Sequence, residues 1–422
     1  MRKIAIGMIL LFIVLALSCK HKSQVTEITF WHAMGGRVER ALQAMVADFC
    51  STHKDIKIKL VGMADYNILA QKLMSACAIG RPPTIAQMYE NWTTQLLLNN
   101  YLTPLDSFIY SSEGLTPEER ADIWQVLLDN NSWHGRIVTL PFNKSVPVYY
   151  YNVAILETLG YKKFPQTWDE FLVLMRKIKE RYKGQIIPTI GGTDIWVVAS
   201  MIYQEGGRLF DEERLMPLFY SEPAIKSLEF QVALIYKDSV QGRSAVSEIL
   251  DDFLAKRVFC VPLSCARRAV MLEHETFPVG MAPLPYNRKP AVIIYGTNIG
   301  LFRQATPEEK RAAWKFIKWF TSKEQQIRWS LNTYYVPIQK SALEDPRMQA
   351  HLQATPGLKE AYYQMNYAVF EPKGEAWFEG RKIFIEDALE NATLGKMSPK
   401  EALKFAQEKL LLRIKETSHK SK

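Results

Sequence analysis

Cysteine is scarce: the 422 residues hold five, Cys19, Cys50, Cys77, Cys260 and Cys265, with no CxxC among them. The seven histidines form no HExxH and no paired-ligand spacing, so no metal centre is expected. GxSxG and the P-loop are also missing, which removes the usual signatures of a serine hydrolase or a nucleotide hydrolase. Glycine and proline, at 21 each, are too few for collagen or a long linker. Internal repeats and low-complexity segments are absent. Charge of one sign is not concentrated: 53 basic against 44 acidic residues give +9, spread along the chain, so no nucleic-acid partner is expected.

What remains is an ordinary globular composition, with 48% hydrophobic and 23% charged residues. The length suggests two or three domains and buries a core without disulfide staples. Aromatic residues reach 12%, with 10 Trp and 19 Tyr, which suits stacking against polar organic ligands.

The amino terminus carries the first sharp signal. Arg2 and Lys3 precede an almost unbroken apolar run, Ile4 to Ala16. Its 13 residues fall short of the roughly 20 that span a bilayer, so it reads as an export signal. Leu15-Ala16-Leu17-Ser18-Cys19 resembles a bacterial lipoprotein cleavage box, with Ala16 where leucine is usual. The expectation is a signal peptide over 1–18, a lipid-bearing (palmitate) Cys19 and a polar tether over 19–24. The alternative is an ordinary signal peptide with Cys19 incidental. Export permits disulfides among the other four cysteines, and Cys260 and Cys265 are close enough for a local loop. Buried free thiols are an equal reading.

Val25 to Trp31 alternates and is β-branched, which predicts a strand. Val38, Leu42, Met45, Val46 and Phe49 recur at helical spacing over Arg37 to Cys50. A strand over Ile56 to Met63, a helix over Asp65 to Ala78 and a short buried strand over Thr84 to Met88 follow. This β-α-β-α-β opening implies a parallel sheet with crossover helices. Thr167 with Glu170, Thr306 with Glu309, Ser398 with Glu401 and Ser322 with Gln325 have capping-box spacing. Pro307 and Pro399 suit a first helical turn, where a missing N–H costs nothing.

Several segments then agree in order. They are Ile28-Thr29-Phe30-Trp31-His32, Gln87-Met88-Tyr89-Glu90, Pro141-Phe142-Asn143-Lys144-Ser145-Val146-Pro147 with Tyr150-Tyr151-Asn152, Pro165-Gln166-Thr167-Trp168-Asp169-Glu170, and Tyr334-Tyr335-Val336-Pro337. Together they resemble the extracellular solute-binding proteins of ABC importers, family 1, over essentially the whole mature chain. Within it they are most similar to the glycerol-3-phosphate-binding branch. The resemblance implies an α/β, two-lobed periplasmic-binding-protein fold of type II. Each lobe would be a mainly parallel sheet flanked by helices, with a hinge between. The implied lobes are discontinuous: 25–142 plus 290–333, and 147–287 plus 334–416.

The resemblance also implies a ligand set. Glu90, after a strand, would accept hydrogen bonds from two vicinal hydroxyls of a polyol; the alternative is a solvated loop acid. Tyr66 and Tyr335 match cleft tyrosines, Tyr66 being equally readable as a core-edge aromatic. Ser145 matches a ligand-contacting serine and Ser264 a phosphate-contacting one, with Arg267 or Arg268 able to add charge or to lie on the surface. Gly296 matches a segment where backbone N–H groups approach the ligand. Trp196 would give an apolar platform; Thr193 stands where the branch has a second tryptophan. Lys144 replaces a small residue of the branch and reads better as a solvated loop lysine than as a group facing an anion. The branch's phosphate-pairing arginine falls at Gly374, which makes the adjacent Lys373 the candidate cation.

The function implied is non-enzymatic: a lipid-anchored, monomeric binding protein outside the cell membrane, delivering a small polar organic solute to the membrane subunits of an importer. No cofactor is expected. Glycerol-3-phosphate or a related polyol phosphate is the first candidate solute, and a neutral disaccharide the second. An exported hydrolase is the weaker class, because the pair Asp169-Glu170 that could serve a glycosidase is explained by its capping box. A surface adhesin would share the anchor but needs no cleft.

Overall fold

The computed structural model describes residues 25–191, 195–243 and 248–420. The expected signal peptide, Cys19, the tether to Gln24 and Thr193 lie outside them.

The opening follows the sequence pattern. Strand β1 (Thr26–His32) buries alternate side chains, Ile28, Phe30 and His32. Helix α1 (Gly36–Thr52) covers it with Leu42, Met45, Val46 and Phe49, while Val38 is only partly buried. Strand β2 (Ile56–Gly62) runs parallel to β1. Helix α2 (Tyr66–Ala78) starts at Asp65, whose side chain accepts from Ile68 N–H at 2.8 Å. Strand β3 (Ile85–Met88) lies parallel to β1 on its other edge and is buried throughout. Helix α3 (Glu90–Leu98) follows after one residue. Strand β4 (Leu102–Thr103), helix α4 (Gln125–Asn130) and strand β5 (Leu140–Pro141) complete this part.

The chain then crosses to a second sheet. It is built from β6 (Pro147–Asn152), β7 (Ile187–Ile190), β8 (Gln241–Gly242), β9 (Val258–Ser264) and β10 (Val279–Pro283), in the order β8-β7-β9-β6-β10. Helix α5 (Trp168–Tyr182) packs on it, buried through Trp168, Phe171, Leu174, Met175 and Ile178. Helix α6 (Ile195–Gln204) is almost wholly buried. After the short strand β11 (Val292–Ile293), β12 (Asn298–Phe302) returns to the first sheet, whose order is β2-β1-β3-β12-β4, with β5 also on β12. The returning strand runs antiparallel to β3, β4 and β5, and β6 runs antiparallel to β9 and β10. Each sheet is therefore mixed, with its parallel part confined to the β-α-β segments.

Helices α7 (Pro307–Phe320) and α8 (Lys323–Thr333) follow. Later come β13 (Ala368–Val369), parallel to β11, then α9 (Trp377–Ile383) and α10 (Pro399–Lys420). Boxes form at Thr167–Glu170, Thr306–Glu309 and Ser398–Glu401. Ser322 makes no cap bond and instead donates to Trp319 C=O at 2.7 Å. A further box, Thr116 with Glu119, has the same spacing and Pro117 in its first turn. Cys50, Cys77, Cys260 and Cys265 are all free thiols; the last three are buried and Cys50 is partly so.

Candidate functional site

The segments that cross between the two sheets meet one another at Ser145, Tyr295 and Val336. Ser145 and Tyr295 exchange backbone bonds, Ser145 N–H to Tyr295 C=O at 3.1 Å and Tyr295 N–H to Ser145 C=O at 2.7 Å. Val336 N–H joins them by donating to Lys144 C=O at 2.8 Å. Gly296 adopts φ +91°, and a Cβ there would stand 1.8 Å from Asn143 O. Only glycine lets the strands approach this closely.

A polar network ties β3 to the crossing segments. Gln87 on β3 donates from Nε2 to Asn143 Oδ1 at 3.2 Å and to Thr297 Oγ1 at 3.0 Å. Its Oε1 accepts from Ala33 N–H at 2.7 Å. Asn143 Nδ2 donates to Tyr66 OH at 3.1 Å. Tyr66, at the start of α2, sets its ring edge-on against Tyr89, centroids 5.1 Å apart. Burial, and secondarily Tyr335, push the Tyr66 phenol well above its ordinary value. Tyr335 is raised by burial while its hydrogen bond with Asn143 opposes this, and its ring stacks on Trp329 at 5.8 Å. Both phenols are held above their ordinary value, and Tyr66 OH accepts from Asn143.

Glu90 begins α3 at the carboxyl end of β3, a position where a helix N-terminus favours a carboxylate. It is no solvated loop acid: it is 8% exposed. Its Oε1 accepts from Lys144 Nζ at 3.1 Å. The sequence favoured a solvated Lys144, and the structure reverses that, for the side chain is fully buried. The ammonium also donates to Asn130 Oδ1 at 2.8 Å and Gly296 C=O at 3.1 Å. Burial pulls Lys144 below the ordinary lysine value, and Glu90 opposes that. Lys144 thus takes one of the acceptor sites of the Glu90 carboxylate.

Ser264 ends β9, in the second sheet. Its Oγ accepts from Ala266 N–H at 3.2 Å and donates to Ser145 Oγ at 2.8 Å. Arg267 is exposed, and its charge is felt by Tyr335. Arg268 is buried and pairs with Glu275, so it is not a surface arginine.

Trp196 lies near the start of α6, its ring 4.3 Å from that of Tyr295 and 5.3 Å from the Arg381 guanidinium. Arg381, on α9, bonds Glu371 through Nε at 2.9 Å. Lys373 is partly buried. Its Nζ donates to the carbonyls of Asp129 and Ser132 and sits 4.7 Å above the Trp133 ring. Its backbone N–H and that of Gly374 donate to Glu212. Burial lowers the Lys373 ammonium, with Glu212 and Glu90 opposing.

Ser145 and Ser264 thus touch, Glu90 and Gly296 meet through Lys144, and Tyr66 reaches Tyr335 through Asn143. The sequence reading gave no site role to Gln87, Thr297, Asn130, Glu371 or Arg381. Only Gln87 left a signal, as a lone polar residue in an otherwise apolar strand. Among the described residues, no group of three His, Cys, Asp or Glu side chains could hold a metal ion, and no helix is long and apolar enough to cross a membrane.

Two mixed sheets, joined by crossing strands, with polar side chains gathered at the crossing, define the type II periplasmic-binding-protein fold. The profile of the bacterial extracellular solute-binding proteins matches residues 44–356, and the chain belongs to that family of ABC-importer binding proteins. The sn-glycerol-3-phosphate-binding periplasmic protein UgpB of Escherichia coli (strain K12) is 24% identical over 418 residues, covering 94% of this chain and 95% of that one. Among solved structures, UgpB from Mycobacterium tuberculosis in complex with glycerophosphocholine superposes with a TM-score of 0.83 at 21% identity, covering 93% and 99% of the two chains. Maltose-bound MalE3 of T. maritima gives 0.79 at 22%, covering 92% and 99%.

Proposed function

We propose that this chain captures a polyol phosphate, glycerol-3-phosphate or a close ester, between lobes formed by 25–142 plus 290–333 and 147–287 plus 334–416. Closure of the lobes over the solute would exclude water and present the loaded form to the importer's membrane subunits. The observation that carries the phosphate reading is the Ser145–Ser264 hydroxyl pair at 2.8 Å, with Arg267 and Tyr335 beside it. Hydroxyl and phenol donors next to a guanidinium suit phosphate oxygens. Tyr66, Glu90, Trp196 and Gly296 would complete the cleft. Binding without turnover is the expected chemistry, by a monomer without a cofactor. Export and a lipid on Cys19 would hold the protein at the outer face of the cell membrane, in contact with periplasm or exterior. Loss of detergent-phase partitioning in Cys19→Ala tests the anchor.

A neutral disaccharide is the second reading. The Lys373 ammonium favours it, since two carbonyls and a ring already occupy that cation. Titration calorimetry with glycerol-3-phosphate and with maltose, at low and high salt, separates the two. A bound ester should weaken with salt and a sugar should not. Saturable maltose binding with no ester binding overturns the phosphate reading.

A further inference from the structure

Lys144 is an unusual residue to bury completely. An ammonium has three donors and no acceptor. Here all three are used, on Glu90 Oε1, Asn130 Oδ1 and Gly296 C=O. None is left for a solute, so Lys144 is not itself a contact. Its effect passes through Glu90. One carboxylate oxygen is held, and the other has no hydrogen-bond partner among the described residues. The Glu90 side chain keeps 11% of its surface exposed while that of Lys144 keeps none.

The electrostatics point the same way. A lone carboxylate in a low-dielectric cleft repels an approaching phosphate ester strongly. A paired one does not, and its remaining oxygen still accepts a hydroxyl. The acceptors are also rigid. Gly296 is pinned against Asn143 by a contact that no other residue would fit, and Asn130 closes α4. The ammonium is therefore set by backbone and helix geometry rather than by the solute.

We propose that Lys144 is a positioning and charge-compensating residue for Glu90. It fixes one oxygen, turns the other to the cleft and makes that wall neutral, so that an anionic ester is admitted beside an acidic hydroxyl acceptor. The charge argument rests on the polyol-phosphate reading; the pairing does not.

The test uses four full-length proteins: the parent, Lys144→Met, Glu90→Gln and the double variant. In thermal unfolding, Glu90→Gln should lower Tm in the parent and raise it in the Lys144→Met background, because the amide removes a charge that has lost its partner. Additive losses overturn the pairing, and packing alone would give additivity. Calorimetry with glycerol-3-phosphate follows on the folded variants. Lys144→Met should weaken binding about 10- to 100-fold, and Glu90→Gln in that background should recover part of the loss. Unchanged affinity in Lys144→Met overturns the positioning role. If the parent binds maltose only, the phosphate reading and the charge argument fall together, and the same comparison with maltose decides positioning. If the parent binds neither, the solute assignment falls, while the unfolding cycle still decides the pair.

Discussion

Ser264 donates its hydroxyl hydrogen to Ser145 Oγ at 2.8 Å, although 119 residues separate them in sequence. One hydroxyl comes from the end of β9 and the other from the crossing into β6. The bond therefore ties the second sheet to the crossing segment, where the proposed reading places a solute oxygen. A hydrogen bond to a charged group is worth about 1.5–3 kcal/mol. Ser145→Ala and Ser264→Ala should each weaken glycerol-3-phosphate binding about 10- to 100-fold by calorimetry. The double variant should lose less than the product, since each single change already breaks the shared bond.

Glu90→Ala should harm stability as well as binding. It leaves a buried ammonium without its counter-charge, and breaking a buried pair from one side costs about 3–5 kcal/mol. Urea unfolding should show a loss of that order for Glu90→Ala and a smaller one for Glu90→Gln, whose amide oxygen still accepts from Lys144. Equal stability of all three proteins would contradict the burial of the pair.

Gly374 has room for a side chain. A Cβ there would meet Glu212 Cγ at 3.7 Å and Phe210 Cε1 at 3.8 Å, both ordinary contacts. Gly374→Arg should change stability by no more than about 0.5 kcal/mol. It should raise affinity for glycerol-3-phosphate about 10-fold if the phosphate lies on this side of the cleft. No gain would place the phosphate elsewhere.

Acid should weaken one surface cap. Asp345 accepts from Arg347 N–H at 2.9 Å and pairs with the Arg347 side chain, which brings its carboxyl from 3.8 down to about 2. A depressed carboxyl stabilises the fold above its unfolded value and loses that contribution as pH falls through the folded one. Asp345→Asn should therefore lower Tm slightly near neutral pH, and the gap should close by about pH 2. A gap that widens in acid would contradict this sign.

The opening sheet was legible because its signals are local. Alternation in Thr26–His32 and helical spacing in Gly36–Thr52 located both elements to within a residue or two. Strand direction was not legible, since β12 inserts beside β3 from about two hundred residues away. Glu90 could be placed near the end of a buried strand because β3 ends two residues before it. The burial of Lys144 could not be read, because its partners stand 54, 14 and 152 residues off. Ser322 and Gln325 had the spacing of a capping box, but the Trp319 carbonyl took the serine hydroxyl. Arg381 carries no local mark at all; only packing sets it over Trp196.

The seat of Lys373 has an optical consequence. Its ammonium rests on the face of Trp133 while its backbone is tied to Glu212. Any swing that parts the segment around Lys373 from the Asp129 and Ser132 carbonyls must also lift the cation off that ring. Indole emission responds to nearby charge and water, so opening and closing would register in the protein's intrinsic fluorescence. The motion could then be followed in real time, without a dye, as the Trp133 share of the emission of ten tryptophans.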